Sequence, residues 1–294
     1  MNNISLVCLA AGMSKRFGGE LKQLAKVGPN DETLIECILN QAIQAGFNKI
    51  ILVVREETKE KFKAIFKDNY KEIPIYYAIQ KLDKEKRDNP WGTCDALCSA
   101  IEMIQEPFVI CSGDDLSGIK SFEILANHLR NKKEEATIGK RLIDMLPEQG
   151  TVNRGIFKID NENNVVNSEE MLGISKENFE QKGLRKDELV SISIFALHPE
   201  TLNLLNKMLE KLKEENKENR NMEIYLNLEL AKLIKERKIQ MKVYTHEEKW
   251  LGITNKEDEE KVREELRFTS PRLGQSKEKV REELKFNSSH KKIK

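Results

Sequence analysis

Short runs of branched apolar residues alternate with helix-length amphipathic segments through the first 140 residues, and this alternation constrains the fold more than any other feature of the chain. Ile4–Leu9 is such a run, followed by a glycine-rich loop to about Gly19. Thr33–Ala45 places apolar residues at helical spacing and is closed by Gly46, a residue suited to a left-handed cap. Lys49–Val54 predicts a buried strand, Glu57–Lys67 a charged helix and Pro74–Gln80 a strand. Thr93–Ile104 predicts a helix, Phe108–Cys111 a strand and Ser121–Asn131 a helix. Strands separated by helices of about 10–15 residues require right-handed crossovers, which implies an α/β fold with a mostly parallel sheet flanked by helices. Ligands of such sheets bind at the carboxyl ends of the strands. Two loops with unusual chemistry leave those ends, after Leu9 and after Cys111.

The second half changes character. Thr151–Ile159, Val165–Glu170 and Val190–Leu197 are β-rich and predict a smaller mixed sheet over the same edge. Thr201–Arg237 predicts two polar helices split near Asn219–Asn221, and Met241–Tyr244 predicts a return to the sheet. At the end, Glu260–Phe268 recurs almost unchanged as Glu278–Phe286, eighteen residues on. Two copies are too few for a solenoid; the first is expected to form a closing helix and the second a duplicated tail.

Composition removes several classes of function. Fifty Lys and Arg stand against 49 Asp and Glu, a net charge of +1, whereas general nucleic-acid binding needs a surplus of cations on one face. The lysine-rich end interleaves Glu with Lys, the pattern of a solvated helix face. The apolar run Ile4–Gly12 is far shorter than the roughly 20 residues of a membrane span, and it has no basic leader, so neither a membrane nor a secretory role is expected. Five cysteines, odd in number and set in apolar segments, suit reduced thiols in a cytoplasm. Cys94 and Cys98 lie one helical turn apart, but four histidines in the whole chain and none near the pair argue against zinc.

The loop Leu9-Ala10-Ala11-Gly12-Met13-Ser14-Lys15-Arg16-Phe17-Gly18-Gly19, followed by Leu21-Lys22-Gln23-Leu24, carries the strongest chemical signal. Small residues after a buried strand let the backbone approach a ligand, and successive amides in such a turn form an anion-binding concavity. Arg16 and Lys22 add two fixed positive charges, which suits a triphosphate. The same residues also suit a plain glycine turn with two surface cations, so this loop does not decide alone. It is neither a P-loop, lacking Gly-Lys-Ser/Thr, nor a dinucleotide fingerprint. Val109-Ile110-Cys111-Ser112-Gly113-Asp114-Asp115 predicts a strand ending in carboxylates, where a hard cation finds oxygen ligands; Asp115 alternatively caps the next helix.

The first loop resembles the signature of nucleotidyltransferases that couple a nucleoside triphosphate to a sugar phosphate or a similar alcohol phosphate, roughly Ala-Ala-Gly-x-Gly-x-Arg and then a Pro/Leu-Lys pair. Ser14 stands where the second glycine is expected, and Glu20 is a one-residue insertion. Asn89-Pro90-Trp91-Gly92-Thr93-Cys94-Asp95-Ala96 is similar to the family's Gly-Thr-Ala-x-Ala segment, although an N-capped helix start reads the same way. Gln80 matches a glutamine that reads the base edge, and Asp114 aligns with the metal aspartate. Gly150–Gly155 and Glu169-Glu170 fall where relatives contact the acceptor, though Asn153-Arg154-Gly155 equally suits a turn. Asn221–Leu226 resembles a family segment at a helix start. Lys249–Thr254 resembles the closing segment, with Gly252 where many sugar enzymes carry an aspartate.

Taken over residues 3–258, the resemblance implies the nucleotide-diphospho-sugar transferase type of Rossmann-like fold. It implies one nucleotidyltransferase domain over 1–258, with a nucleotide-binding part to 140 and an acceptor-binding part over 141–258, and a closing helix and duplicated charged tail over 259–294. The implied reaction is in-line attack by a sugar phosphate on the α-phosphorus of a nucleoside triphosphate, releasing pyrophosphate. Arg16 and Lys22 would be catalytic, and Ala10, Ala11, Gly12, Gln80, Gly92 and Thr93 would bind the nucleotide. Asn153, Gly155 and Glu170 would bind the acceptor, and Asp114 would hold Mg2+. Two alternatives stay open: a cytidylyltransferase acting on a polyol phosphate, suggested by Lys22-Gln23, and a nucleotide-binding homologue without turnover. Relatives range from monomers to tetramers, so a homo-oligomer is among the options.

Overall fold

The structure, a computed structural model, describes residues 3–13, 21–253 and 258–269. In chain order these hold β1 Ser5–Leu9, α1 Leu34–Gln44, β2 Lys49–Val54, α2 Glu56–Phe66, β3 Asn69–Tyr70, β4 Ile73–Ile79, α3 Thr93–Cys98, β5 Phe108–Ser112, β6 Asp115–Leu116 and α4 Ile119–Asn131. There follow β7 Glu135–Arg141, β8 Val152–Ile159, β9 Val165–Ile174, β10 Leu189–Leu197, α5 Pro199–Glu215, α6 Leu226–Lys235, β11 Met241–Tyr244, β12 Leu251–Gly252 and α7 Asp258–Thr269. Among the described residues no helix is long and apolar enough to cross a membrane.

Two compact units share the chain, as far as it is described. One takes Met1–Gly12, Gln41–Ser112 and Ser117–Lys249; the other takes Met13–Asn40, Gly113–Leu116 and Trp250–Lys294. The first unit is a sheet in the order β11-β7-β10-β5-β1-β2-β4-β3, with β8 pairing β10 and β9. Its centre is parallel: β1 pairs both β2 and β5 in parallel, and β2 pairs β4. β1, β2 and β5 are buried almost throughout, as expected where helices cover both faces of a parallel sheet. β10 runs antiparallel between β5 and β7, and it is the strand that carries β8 and β9. The β-rich second half therefore continues the first sheet rather than forming a sheet of its own.

Two of the longer elements depart from expectation, and the two-residue strands β3, β6 and β12 are not among those expected. The helix beginning at Thr93 ends at Cys98 and gives way to a 3-10 turn at Ile101–Met103. Ser99 Oγ donates to Ala96 O at 2.6 Å and Ala100 N donates to Leu97 O, local bonds that compete with continuing the α-helix. β7 has no counterpart in the expected elements because its sequence, Glu-Ala-Thr-Ile-Gly-Lys-Arg, is charged at both ends. Both buried charges have partners. Glu135 accepts from the His198 backbone N–H at 3.0 Å and from Thr201 Oγ1, which satisfies the start of α5. Lys140 Nζ donates to the carbonyls of His246, at 2.8 Å, and Glu248.

In the second unit, β6 and β12 form a two-stranded antiparallel ribbon, Leu251 opposite Leu116 and Gly252 opposite Asp115. A capping box begins α1: Thr33 Oγ1 accepts from Glu36 N at 3.3 Å while Glu36 Oε2 accepts from Thr33 N at 2.8 Å. The first copy of the terminal repeat lies in α7, which buries Val262 and Leu266 and reaches from Arg263 Nη2 to Lys26 O at 2.6 Å. The second copy lies outside the described residues.

Candidate active site

Two of the candidate residues, Lys22 and Asp114, fall in the second unit. Lys22 opens a 3-10 turn, Lys22–Leu24, which faces its side chain and that of Gln23 differently. Gln23 is buried, whereas Lys22 forms an ion pair with Asp114 and donates to Ile253 O at 3.4 Å. Ile253 N donates to Asp114 O at 3.2 Å, so the ribbon fixes the aspartate's backbone against the closing segment. Three segments far apart in sequence thus meet at one ammonium group. Arg16 lies outside the described residues.

Gly252 has no room for a side chain. A Cβ there would lie 2.4 Å from the Trp250 ring and 2.8 Å from Asp115 Oδ1. The carboxylate of Asp115 therefore occupies the space that an aspartate at 252 would need. Among the described residues no group of three or more His, Cys, Asp or Glu is placed to hold a metal. Magnesium, however, takes one or two carboxylates and draws its other ligands from water and substrate phosphates, so the neighbouring Asp114 and Asp115 suit it in chemistry and number.

The first unit carries the nucleotide-facing candidates. Ala10 and Ala11 are buried at the carboxyl end of β1, Ala10 N donating to Val53 O at 2.7 Å, and Gly12 is exposed beyond them. Gln80 continues the ladder past β4, its N–H donating to Val54 O at 2.9 Å. Its side chain is buried, and Nε2 donates to Gly92 O at 3.0 Å and Asp95 Oδ2 at 2.8 Å. Gly92 has φ +93°, and a Cβ would meet Ile224 O at 2.6 Å and Ile224 N at 2.8 Å. Both the backbone conformation and the close approach require glycine. Thr93 Oγ1 accepts from Leu226 N at 2.9 Å, Cys94 N donates to Ile224 O at 3.0 Å, and Ile224 N donates to Trp91 O at 2.7 Å. The Gly-Thr segment and the Asn221–Leu226 segment, separate in sequence, are thus stitched into one edge, and Thr93 serves the start of α6.

The candidate acceptor residues share the β8–β9 hairpin. Gly155 lies opposite Glu170 in register, and Asn227 at the start of α6 donates to Glu170 Oε2 at 3.2 Å. Asn153 Oδ1 accepts from Gly173 N at 2.9 Å.

Sequence reasoning missed Arg87. It is buried, lies 3.3 Å from the centre of the Trp91 ring, and donates to the carbonyls of Asn89, Asn219 and Met222. Burial holds its pKa below the usual guanidinium value, with Asp95 opposing that effect. The only hint was an arginine four residues before a tryptophan in a short loop.

The sequence profile of the nucleotidyl transferase family matches residues 9–258. Similar solved structures include a glucose-1-phosphate thymidylyltransferase from Bacillus anthracis described as putative, with TM-score 0.67 at 12% identity over 90% of this chain and 95% of that one. A UTP-bound UGPase from Acinetobacter baumannii has TM-score 0.64 at 17% identity, covering 100% of both chains. The inositol-1-phosphate CTP transferase of T. maritima has TM-score 0.63 at 16% identity over 91% of this chain and 97% of that one. No curated protein matches the sequence.

Proposed function

The chain belongs to the nucleotidyl transferase family, and from that premise we propose that it transfers a nucleoside monophosphate from a nucleoside triphosphate to a sugar phosphate, releasing pyrophosphate. An acceptor phosphate oxygen attacks the α-phosphorus, a bond forms there, and the bond to the bridging oxygen of the departing pyrophosphate breaks. No covalent enzyme intermediate is needed, so the protein contributes positioning and charge.

The observation that carries this reading is the convergence of Lys22, Asp114 and the Gly252-Ile253 segment. The Lys22 ammonium has three N–H donors. Asp114 and Ile253 O orient two of them, which among the described residues leaves one for a phosphate oxygen on a side chain held by these contacts. Arg16, assigned by resemblance, would add a second cation. Asp114, with Asp115 beside it, would hold magnesium, which when bound neutralises phosphate charge. In the first unit, the backbone at Ala10, Ala11 and Gly12 would line the nucleotide, with Gln80 and Gly92 toward the base and Thr93 holding the segment that presents them. Asn153, Gly155 and Glu170 would meet the acceptor.

Pyrophosphate release with magnesium tests this, using the four ribonucleoside triphosphates and dTTP against sugar 1-phosphates and polyol phosphates. Release with a sugar phosphate supports the reading, and release with a polyol phosphate alone moves the acceptor class. Triphosphate binding with no release from any pair refutes turnover and leaves a binding protein.

A further inference from the structure

Both hydrogens of the Gln80 amide are committed. Nε2 donates to Gly92 O at 3.0 Å and to Asp95 Oδ2 at 2.8 Å, and neither partner can donate in return. The other oxygen of Asp95 accepts from Lys213 Nζ at 2.7 Å, so both oxygens of the carboxyl group are engaged as acceptors. Asp95 is itself buried on α3, and Lys213 reaches it from α5. Turning the Gln80 amide over would set its oxygen against a carbonyl and a carboxylate, which removes the ambiguity that an amide ordinarily carries. Among the described residues no donor reaches Oε1.

We infer that Asp95, fixed by Lys213, is a positioning residue that makes Gln80 present only its carbonyl oxygen, so that the site selects nucleobases carrying a ring N–H at the facing edge. Uracil, thymine and guanine have that N–H; cytosine and adenine have a bare ring nitrogen there and set lone pair against lone pair. The inference rests on the proposed reading of Gln80 as the residue toward the base, and it names the base class which that reading leaves open. Asp95 also stands in the first turn of α3, where a carboxylate is favoured in any case. A purely helix-stabilising role predicts no effect on base choice.

Equilibrium binding of UTP against CTP, and of GTP against ATP, in the presence of magnesium tests the inference on the intact chain. Each pair exchanges a ring N–H for a bare nitrogen. In whichever pair binds, the N–H member is expected to bind about tenfold or more tightly, the cost of one unmade buried hydrogen bond. Asp95→Asn supplies a side chain that can donate to Oε1, which lets the amide turn over, and the ratio should fall toward one. Lys213→Met, on a partly exposed helix position, should lower the ratio less and serves where Asp95→Asn does not fold. CTP or ATP binding as tightly as its partner to the wild-type protein overturns the inference while leaving the proposed function standing. So does uniform weakening of both members in the variants, the signature of a structural role. Binding of no triphosphate overturns the inference and the reading of the site together.

Discussion

Replacing Gly92 by alanine tests the geometry of the nucleotide edge through one methyl group. Two costs are separable. An L-residue at φ +93° costs about 1–2 kcal/mol from the backbone conformation alone. The lower conformational entropy of unfolded alanine returns about 0.4–1 kcal/mol of it. The second cost is the clash: a Cβ 2.6 Å from Ile224 O and 2.8 Å from Ile224 N must move backbone, not a flexible side-chain end. That movement strains the bonds from Cys94 N to Ile224 O and from Ile224 N to Trp91 O, each worth about 1 kcal/mol. The sum is about 3 kcal/mol, which at about 2–4 °C per kcal/mol for chains approaching this size lowers Tm by about 6–12 °C. Gly150 is the control, since it has φ +85° and nothing within 4 Å of its Cβ position. Gly150→Ala isolates the conformational cost and should move Tm by only about 1–3 °C. Thermal melting followed by circular dichroism reads both variants, and triphosphate affinity should fall only in Gly92→Ala, because Gln80 bonds Gly92 O. Equal melting shifts in the two variants would refute the argument that Ile224 enforces glycine at 92.

Lys22→Ala should cut transferase turnover by about a hundredfold or more while moving Tm by no more than about 4 °C, since a partly exposed ion pair contributes about 1 kcal/mol or less; steady-state kinetics and melting separate the two effects. Gly252→Asp should lower Tm and leave magnesium affinity no higher, because Trp250 and Asp115 occupy the space of the new side chain; tighter Mn2+ binding by titration would contradict this. His246 supplies a pH dependence. Its Nδ1 accepts from Glu248 N–H and faces Lys140 Nζ, and burial followed by the Lys140 and Lys120 charges lowers its pKa from 6.5 to about 4. The unfolded chain takes up a proton below pH 6.5 that the folded chain refuses, so this stability is complete above 6.5 and declines as pH falls toward 4. The loss is about 3 kcal/mol at most, and urea unfolding of His246→Gln should lack it; identical pH profiles would refute the assignment.

The central strands were legible because β1, β2 and β5 are buried on both faces and so read as continuous apolar runs. Gly46 marked the end of α1 for an equally local reason, and it does adopt a left-handed conformation. β7 was illegible because its buried Glu135 and Lys140 are compensated by His198, Thr201 and the carbonyls of residues 246 and 248, partners far along the chain. Its absence from the expected elements also hid how β10 enters the sheet, since β10 needs β7 as a neighbour.

Much of the candidate site could be named from sequence, because small residues, a lysine and an aspartate after predicted strands carry chemistry by type and place alone. The α/β class belongs to the same local information. What only the tertiary structure decided is which groups share hydrogens. Lys22 meets Asp114 and Ile253, Ile224 excludes a side chain at 92, and Asp95 with Lys213 commits the amide of Gln80. These are contacts across tens to hundreds of residues, and no local pattern encodes them. A donor's or acceptor's orientation follows from the partners that packing delivers, and those partners exist only once the chain has folded.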